Sequence, residues 1–338
     1  MRERIKWIDY AKGIGIVLVV YGHVLRGLDS AGMGFPEGFF AVSNKLVYGF
    51  HMPLFFLLSG IFAEQWMKKG LAKGTKEKVI TILFPYFVWT LIQGSINVVL
   101  SNVTNNPISW GELFTKIWYQ PLWQFWFLYV LFLFFPVFYL LRKVVSLKIM
   151  LIISAVLYIS MPYVDFWISK YFMINFLFFV LGTQVMNFNL EKVEETVYKA
   201  NYRVLTACSF IIFNCFYLSA LPLFNNSIYN LVIALVGINL IVTTSVFISK
   251  RNYLGIIDYV GKASMAIYLT HILATSGLRI ILSKFLGVDN AWLHLILGTV
   301  FGVVLPIVAF LIAEKFKIGN ILFGGKNKSN PLKSGIAS

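Results

Sequence analysis

The sequence predicts an all-α, polytopic membrane bundle of about ten helices, and three observations carry that prediction. The 338 residues are 59% hydrophobic and only 13% charged, too little charge to cover a soluble domain of this size. Long apolar stretches recur between short polar breaks, and the mean hydropathy is +0.77. The basic residues, finally, fall almost wholly on alternate loops. The short alternating strands of a transmembrane barrel are absent from the sequence pattern.

Ten spans follow, at roughly 13–31, 44–66, 79–101, 123–141, 149–164, 171–187, 204–221, 228–248, 265–285 and 292–313. An N-terminus on the cytoplasmic side places 1–12, 67–78, 142–148, 188–203, 249–264 and 314–338 there as well. Those segments hold 23 of the 29 lysines and arginines, leaving Arg26, Lys45, Lys116, Lys170, Arg279 and Lys284 elsewhere. Such a bias is the positive-inside rule, with both termini cytoplasmic. The net charge of +15 therefore records topology, and no nucleic-acid partner is expected.

The first span resembles a signal peptide in length, but His23 and Arg26 interrupt its apolar core, so it is expected to stay in the mature protein. Helical spacing puts Lys12, Ile16, Val19, His23 and Arg26 on one face. Lys12 and His23 are three turns apart, roughly 16 Å along the axis. Gly13, Gly15 and Gly22 would let neighbouring helices approach beside that stripe. Ionisable groups inside a membrane cost on the order of 2–3 kcal/mol and point to function. Plainer readings compete: a snorkelling Lys12, a neutral His23 bonded between helices, and an Arg26 reaching the outer headgroups.

The second span contains "HMPLFFLLSG", where Pro53 suits a first helical turn or a kink because it lacks an N–H. If the helix proper starts there, His51 lies just outside its N-terminus, facing the outer side. Ser59 and Gly60 allow close helix contact, and packing alone would also explain them. The outer segment 102–122 is expected to lie in the interface or to form a lid. Gln93, Asn97, Asn175, Gln184, Asn214 and Asn239 are expected to make polar contacts between helices. Cys208 and Cys215 share one span and cannot pair with each other. Tyr268 and His271, three residues apart, share a helical face in "ASMAIYLTHI", where a structural histidine is the competing reading. No metal-ligand spacing, phosphate-binding glycine loop or deeply placed carboxylate is found. One domain is expected over 1–320, followed by a polar, disordered cytoplasmic tail at 321–338.

Five segments, in order, resemble the membrane acyltransferase family 3. They are "WIDYAKGIGIVLVVYGHV", "FHMPLFFLLSG", "KEKVITILFPYFVW", "LWQFWFLYVL" and "GKASMAIYLTHI". The likeness is closest to the short branch described as fucose 4-O-acetylase-like or exopolysaccharide acyltransferases. Lys12 and His23 match the family's basic residue, ten others, then histidine. Much of the family has arginine there, whose planar fork a lysine lacks. Trp126, Phe127 and Leu128 match a later motif.

The resemblance implies transfer of an acyl group, most often acetyl from acetyl-CoA, to a hydroxyl of a surface polysaccharide or lipid-linked glycan. No permanently bound cofactor or metal is implied. His23 would be the catalytic base, and Lys12 would act with it. Lys76, Lys78 and Ser59 would bind the donor, the lysines through its phosphates. His51, Trp126 and Arg26 would bind the acceptor, with Tyr268 and His271 as an additional site. Direct attack and an acetyl-histidine relay both remain open. The implied location is the plasma (inner) membrane of a bacterium, as a multi-pass protein, and a homo-oligomer is compatible with it. Two other classes stay open on the residues alone. One is a transporter or flippase whose histidines line its path; the other is a scaffold subunit of a polysaccharide synthase.

Overall fold

The computed structural model describes residues 5–36, 38–186, 190–219 and 227–324, whose regular structure is helical. In chain order the helices are α1 (Lys6–Ser30), α2 (Phe39–Tyr48), α3 (His51–Gly60), α4 (Ala63–Met67), α5 (Leu71–Lys78) and α6 (Phe84–Val99). Next come α7 (Trp110–Tyr119), α8 (Trp126–Val144), α9 (Leu147–Ser160), α10 (Trp167–Val185), α11 (Leu190–Tyr198) and α12 (Ala200–Ser219). The last five are α13 (Ser227–Arg251), α14 (Gly255–Lys262), α15 (Ser264–Ile280), α16 (Ala291–Lys315) and α17 (Gly319–Phe323).

Among the described residues, seven helices are long and apolar enough to cross a membrane. They are Lys6–Ser30, Leu71–Val99, Trp110–Val144, Trp167–Val185, Ser227–Arg251, Ser264–Phe285 and Ala291–Lys315. The described residues thus form an all-helical architecture with seven candidate membrane spans. Three of the ten expected spans take another form. The stretch 44–66 is broken into α2, α3 and α4, each of ten residues or fewer. The backbone leaves helical geometry at Phe50 (φ −141°) and at Phe62 (φ −101°). Pro53 sits in the first turn of α3, where its missing N–H costs nothing. The stretch 149–164 is the 14-residue α9, and 204–221 falls in α12, with 220–221 outside the described residues.

Two expected loops are helical. The chain runs on from Leu71 into α6 through a π-helical turn at Val79–Leu83. Pro85 follows directly; it cannot bond the carbonyl four residues back, and a widened turn absorbs that loss. In 102–122, Ser109 and Glu112 form a capping box that starts α7. Leu113 and Ile117 are buried, while Trp110, Phe114 and Trp118 form an exposed aromatic stripe, as an interfacial helix would.

The chain divides into two compact units. Unit 1 comprises Met1–Gly15, Lys45–Glu77 and Val130–Gly255. Its centre is the crossing of α3 and α10, where Gly60 lies against the Phe179 carbonyl and Gly182 against the Leu57 carbonyl. Around that crossing Phe134 packs on Phe56, Phe176 and Phe179, with ring centroids 5.0–5.3 Å apart. Gly15 faces Leu54 and Phe55, and Tyr10 donates to the Tyr253 carbonyl at 3.0 Å. Arg142 pairs with Glu64 at 2.8 Å.

Unit 2 comprises Ile16–Asn44, Lys78–Tyr129 and Ile256–Ser338, of which 325–338, most of the expected tail, lie outside the described residues. Here α16 carries Gly298 against Val24 of α1, and Gly302 against Val20 of α1 and Thr275 of α15. These small residues bring α1, α15 and α16 together, which sets the position of His23.

Four of the amides expected to bond between helices divide into two kinds, while Asn97 bonds the Asn106 carbonyl and the Ile108 N–H of the following segment. Gln93 and Asn239 bond across helices, to the Leu269 carbonyl and to Thr206 and Tyr202. Asn175 and Asn214 instead donate to carbonyls of their own helices, Tyr171 and Phe210.

Candidate active site

His23 lies in the fifth turn of α1, part-buried, and His271 lies at the start of the third turn of α15, fully buried. Their ring centroids are 5.1 Å apart with the planes tilted by 56°. The pair is brought together by the close helix packing that Gly298 and Gly302 permit.

The tautomer of His271 follows from its neighbours. Nδ1 lies 3.0 Å from the Ile267 carbonyl and 2.9 Å from the Tyr268 carbonyl. Carbonyls only accept, so Nδ1 carries the hydrogen and Nε2 is left with a lone pair. Nε2 is buried and has no hydrogen-bond partner among the described residues.

Polar groups from three elements meet along the neighbouring part of α15. The Tyr268 hydroxyl donates to the backbone carbonyl of Gln124, and its ring meets Phe127 at 5.4 Å. Gln93 Nε2 donates to the Leu269 carbonyl at 2.5 Å, and Gln124 Nε2 donates to Gln93 Oε1 at 3.0 Å. An imidazole can take a hydroxyl proton when neutral, and two imidazoles side by side suit proton transfer.

The other expected residues lie as follows. Within unit 2, Arg26 Nε donates to Asn44 Oδ1 at 2.7 Å, and the Trp126 ring lies 6.5 Å from Phe127. Lys78 ends α5 and is part-exposed. Within unit 1, His51 is buried, with Nδ1 2.7 Å from the Val47 carbonyl and Tyr48 edge-on at 4.6 Å. Ser59 Oγ donates to the Phe55 carbonyl of its own helix at 2.8 Å. Lys12 is part-exposed on the first half of α1, and Lys76 is exposed on α5. Among the described residues no group of three or more His, Cys, Asp or Glu could hold a metal ion.

Sequence reasoning named Gln93 only as an interhelical contact and did not single out Gln124. The usable signal was a glutamine standing within the apolar run "LWQFWFLYVL".

Comparison with known proteins now gives this arrangement its class. The model of the acyltransferase 3 family, described as an acyltransferase domain, matches residues 5–311. The chain belongs to that family. Two relatives are each named nodulation protein NolL. The one from Mesorhizobium japonicum is 27% identical over 177 residues, covering 52% of this chain and 46% of that protein. The one from Sinorhizobium fredii is 32% identical over 87 residues, covering 24% of this chain and 22% of the relative. The matched stretches thus span less than half the length of either relative. No solved structure matches the chain.

Proposed function

We propose that the protein transfers an acyl group, acetyl from acetyl-CoA, to a hydroxyl of a surface polysaccharide or lipid-linked glycan. The observation that carries this reading is the His23–His271 pair inside the family-matched region. In the proposed reaction the acceptor oxygen attacks the thioester carbonyl while its proton passes to neutral His23. The C–S bond breaks, and the coenzyme A thiolate leaves and takes up a proton. His23 is assigned the base because it is only part-buried, whereas a charge on wholly buried His271 would be costly to hold. Membrane helices around the pair would keep water from the thioester.

Isolated membranes given acetyl-labelled acetyl-CoA test the reading. Label should enter the glycan fraction in a protein-dependent way. Label that stays wholly in the thioester, with a glycan acceptor supplied, would contradict it.

Lys12, Lys76 and Lys78 are the residues we assign to the donor phosphates, and Arg26, His51 and Trp126 to the acceptor. Ser59, whose hydroxyl is bonded within its own helix, keeps its donor assignment only through the family motif. Lys12→Ala is expected to weaken acetyl-CoA affinity about tenfold, the scale of one charge-assisted contact. Lys12→Arg should retain most of it. Calorimetric titration of both variants decides, and unchanged affinity in Lys12→Ala would reduce Lys12 to an interface anchor.

Ten spans with both termini cytoplasmic are the proposed topology, in a bacterial plasma membrane, resting on the placement of 23 of the 29 basic residues. Cysteines introduced in 102–122 should react with an impermeant reagent on intact cells, and those in 67–78 should not. External labelling at 67–78 would overturn that topology.

A further inference from the structure

Three cations of unit 1 gather on one pair of aromatic rings, where α11, α12 and α13 pack together. Tyr198, the last residue of α11, stacks on Phe247 of α13 with ring centroids 5.9 Å apart. Arg203, near the start of α12, has Cζ 4.0 Å from the Phe247 centroid and 5.7 Å from that of Tyr198. Lys250 and Arg251 come from the last turn of α13. Lys250 Nζ is 5.5 Å from the Tyr198 ring, and Arg251 Cζ is 5.9 Å from Phe247. Each ring is shared by two cations, so the three charges are neighbours.

Within the chain this cluster is poorly neutralised. The one ion pair made to it among the described residues is Lys250–Glu194, at 4.0 Å. Arg203 Nε has no hydrogen-bond partner among the described residues. Arg251 Nε donates to the Tyr198 hydroxyl at 2.7 Å, a neutral acceptor that can still donate its own hydrogen. Ring faces attract cations, but they carry no net charge to offset the repulsion of three like ones. Arg203 is part-exposed, and Lys250 and Arg251 are exposed, so an anion can reach them.

The surroundings select the kind of anion. Helix α13 is one of those long and apolar enough to cross a membrane, and Lys250 and Arg251 close it. Directly after Arg203, Val204 and Leu205 are exposed on α12, as are Ile211 and Ile212 two turns further on. Tyr253 and Leu254 are exposed just beyond Arg251, with Leu254 held at φ 51°, where a bulky side chain seldom sits. Exposed apolar side chains thus continue from the charges along α12 and along the chain beyond α13. A free anion would use the charges alone, whereas an anionic amphiphile uses both.

We propose that Arg203, Lys250 and Arg251 bind the headgroup of an anionic phospholipid, with its acyl chains along the exposed face of α12. Basic clusters at the ends of membrane helices suit such headgroups. The lipid supplies the counter-charge that the chain lacks and ties α11 to the ends of α12 and α13. This site makes no use of the histidine pair and is independent of the acyl-transfer reading.

The test uses the full chain purified in detergent and titrated with phosphatidylglycerol or with phosphatidylcholine of the same acyl chains. Native mass spectrometry counts the bound lipid. One basic residue at an anionic membrane surface is worth about fivefold in affinity, so the wild type should favour phosphatidylglycerol about a hundredfold. Arg203→Gln should lower that preference about fivefold, and Lys250→Gln with Arg251→Gln should lower it further. The ratio is read within each protein, which separates it from stability, and the double variant carries the test should Arg203→Gln not fold. Lys148→Gln removes the same charge from the exposed start of α9 and should leave the ratio unchanged. Equal binding of the two lipids by the wild type would overturn the proposal. A loss in Lys148→Gln as large as in Arg203→Gln would do so too, by reducing the cluster to diffuse surface charge. Displacement of the bound phosphatidylglycerol by equimolar inorganic phosphate or acetyl-CoA would also overturn it, by assigning the cations to a soluble phosphate ligand.

Discussion

His23→Gln should fold, bind acetyl-CoA and transfer about 10²–10⁴-fold more slowly than the wild type. That loss corresponds to roughly 3–5 kcal/mol of barrier. Glutamine matches histidine in reach and can still hydrogen-bond to a hydroxyl. An amide cannot accept the hydroxyl proton at neutral pH, so only the proton transfer is removed. The part-buried setting of His23 tolerates a neutral amide, and its neighbours Val20 and Val24 still meet Gly302 and Gly298. Single-turnover acyl transfer by the purified protein measures the effect, with acetyl-CoA affinity as the control for folding. Turnover at the wild-type rate would remove His23 from the chemistry. His51→Ala, in the buried environment of α3, should act more mildly and chiefly raise the acceptor concentration needed.

The second large effect is expected at the α3–α10 crossing of unit 1. A Cβ on Gly60 would run into the Phe179 carbonyl, and one on Gly182 would run into the Leu57 carbonyl. Both obstacles are backbone, so no side chain can swing aside. Gly60→Val must push the two helices apart and open the packing of Phe56, Phe134 and Phe179, all 0% exposed. The cost should reach about 3 kcal/mol or more, the upper range for overpacking. Gly277→Ala is the matched control, since a Cβ there meets nothing within 4 Å. Thermal unfolding in detergent, followed by size-exclusion chromatography, should show Gly60→Val aggregated or strongly destabilised and Gly277→Ala near wild type. A Gly60→Val protein with wild-type yield and melting temperature would refute the close crossing.

Much of this architecture was legible in the sequence. The hydropathy pattern marked seven stretches that the structure builds as long apolar helices, because a buried or lipid-facing helix must be apolar along its length. Pro53 marked the start of α3 for the same reason that it fits there. The breaks at Phe50 and Phe62 were not legible, since an apolar stretch reads alike whether one helix or three carry it. The helix of α7 was hidden in a polar segment, although Ser109 and Glu112 stood at capping-box spacing. The shared face of Lys12 and His23 on α1 was legible from their spacing of three helical turns. The pairing of His23 with His271 was not visible, because the two are far apart in sequence and meet only through Gly298 and Gly302. Gln124 escaped because a single amide in an apolar run carries no periodicity; its meaning comes from Gln93 and the Leu269 carbonyl.

The most direct measurement is mass spectrometry of surface glycans from cells carrying the wild-type protein, His23→Gln, or neither. The account predicts ester-linked acyl groups with the wild type, and their absence in both other strains at matched protein level in the membrane for His23→Gln. Equal glycan acylation in all three strains would contradict it.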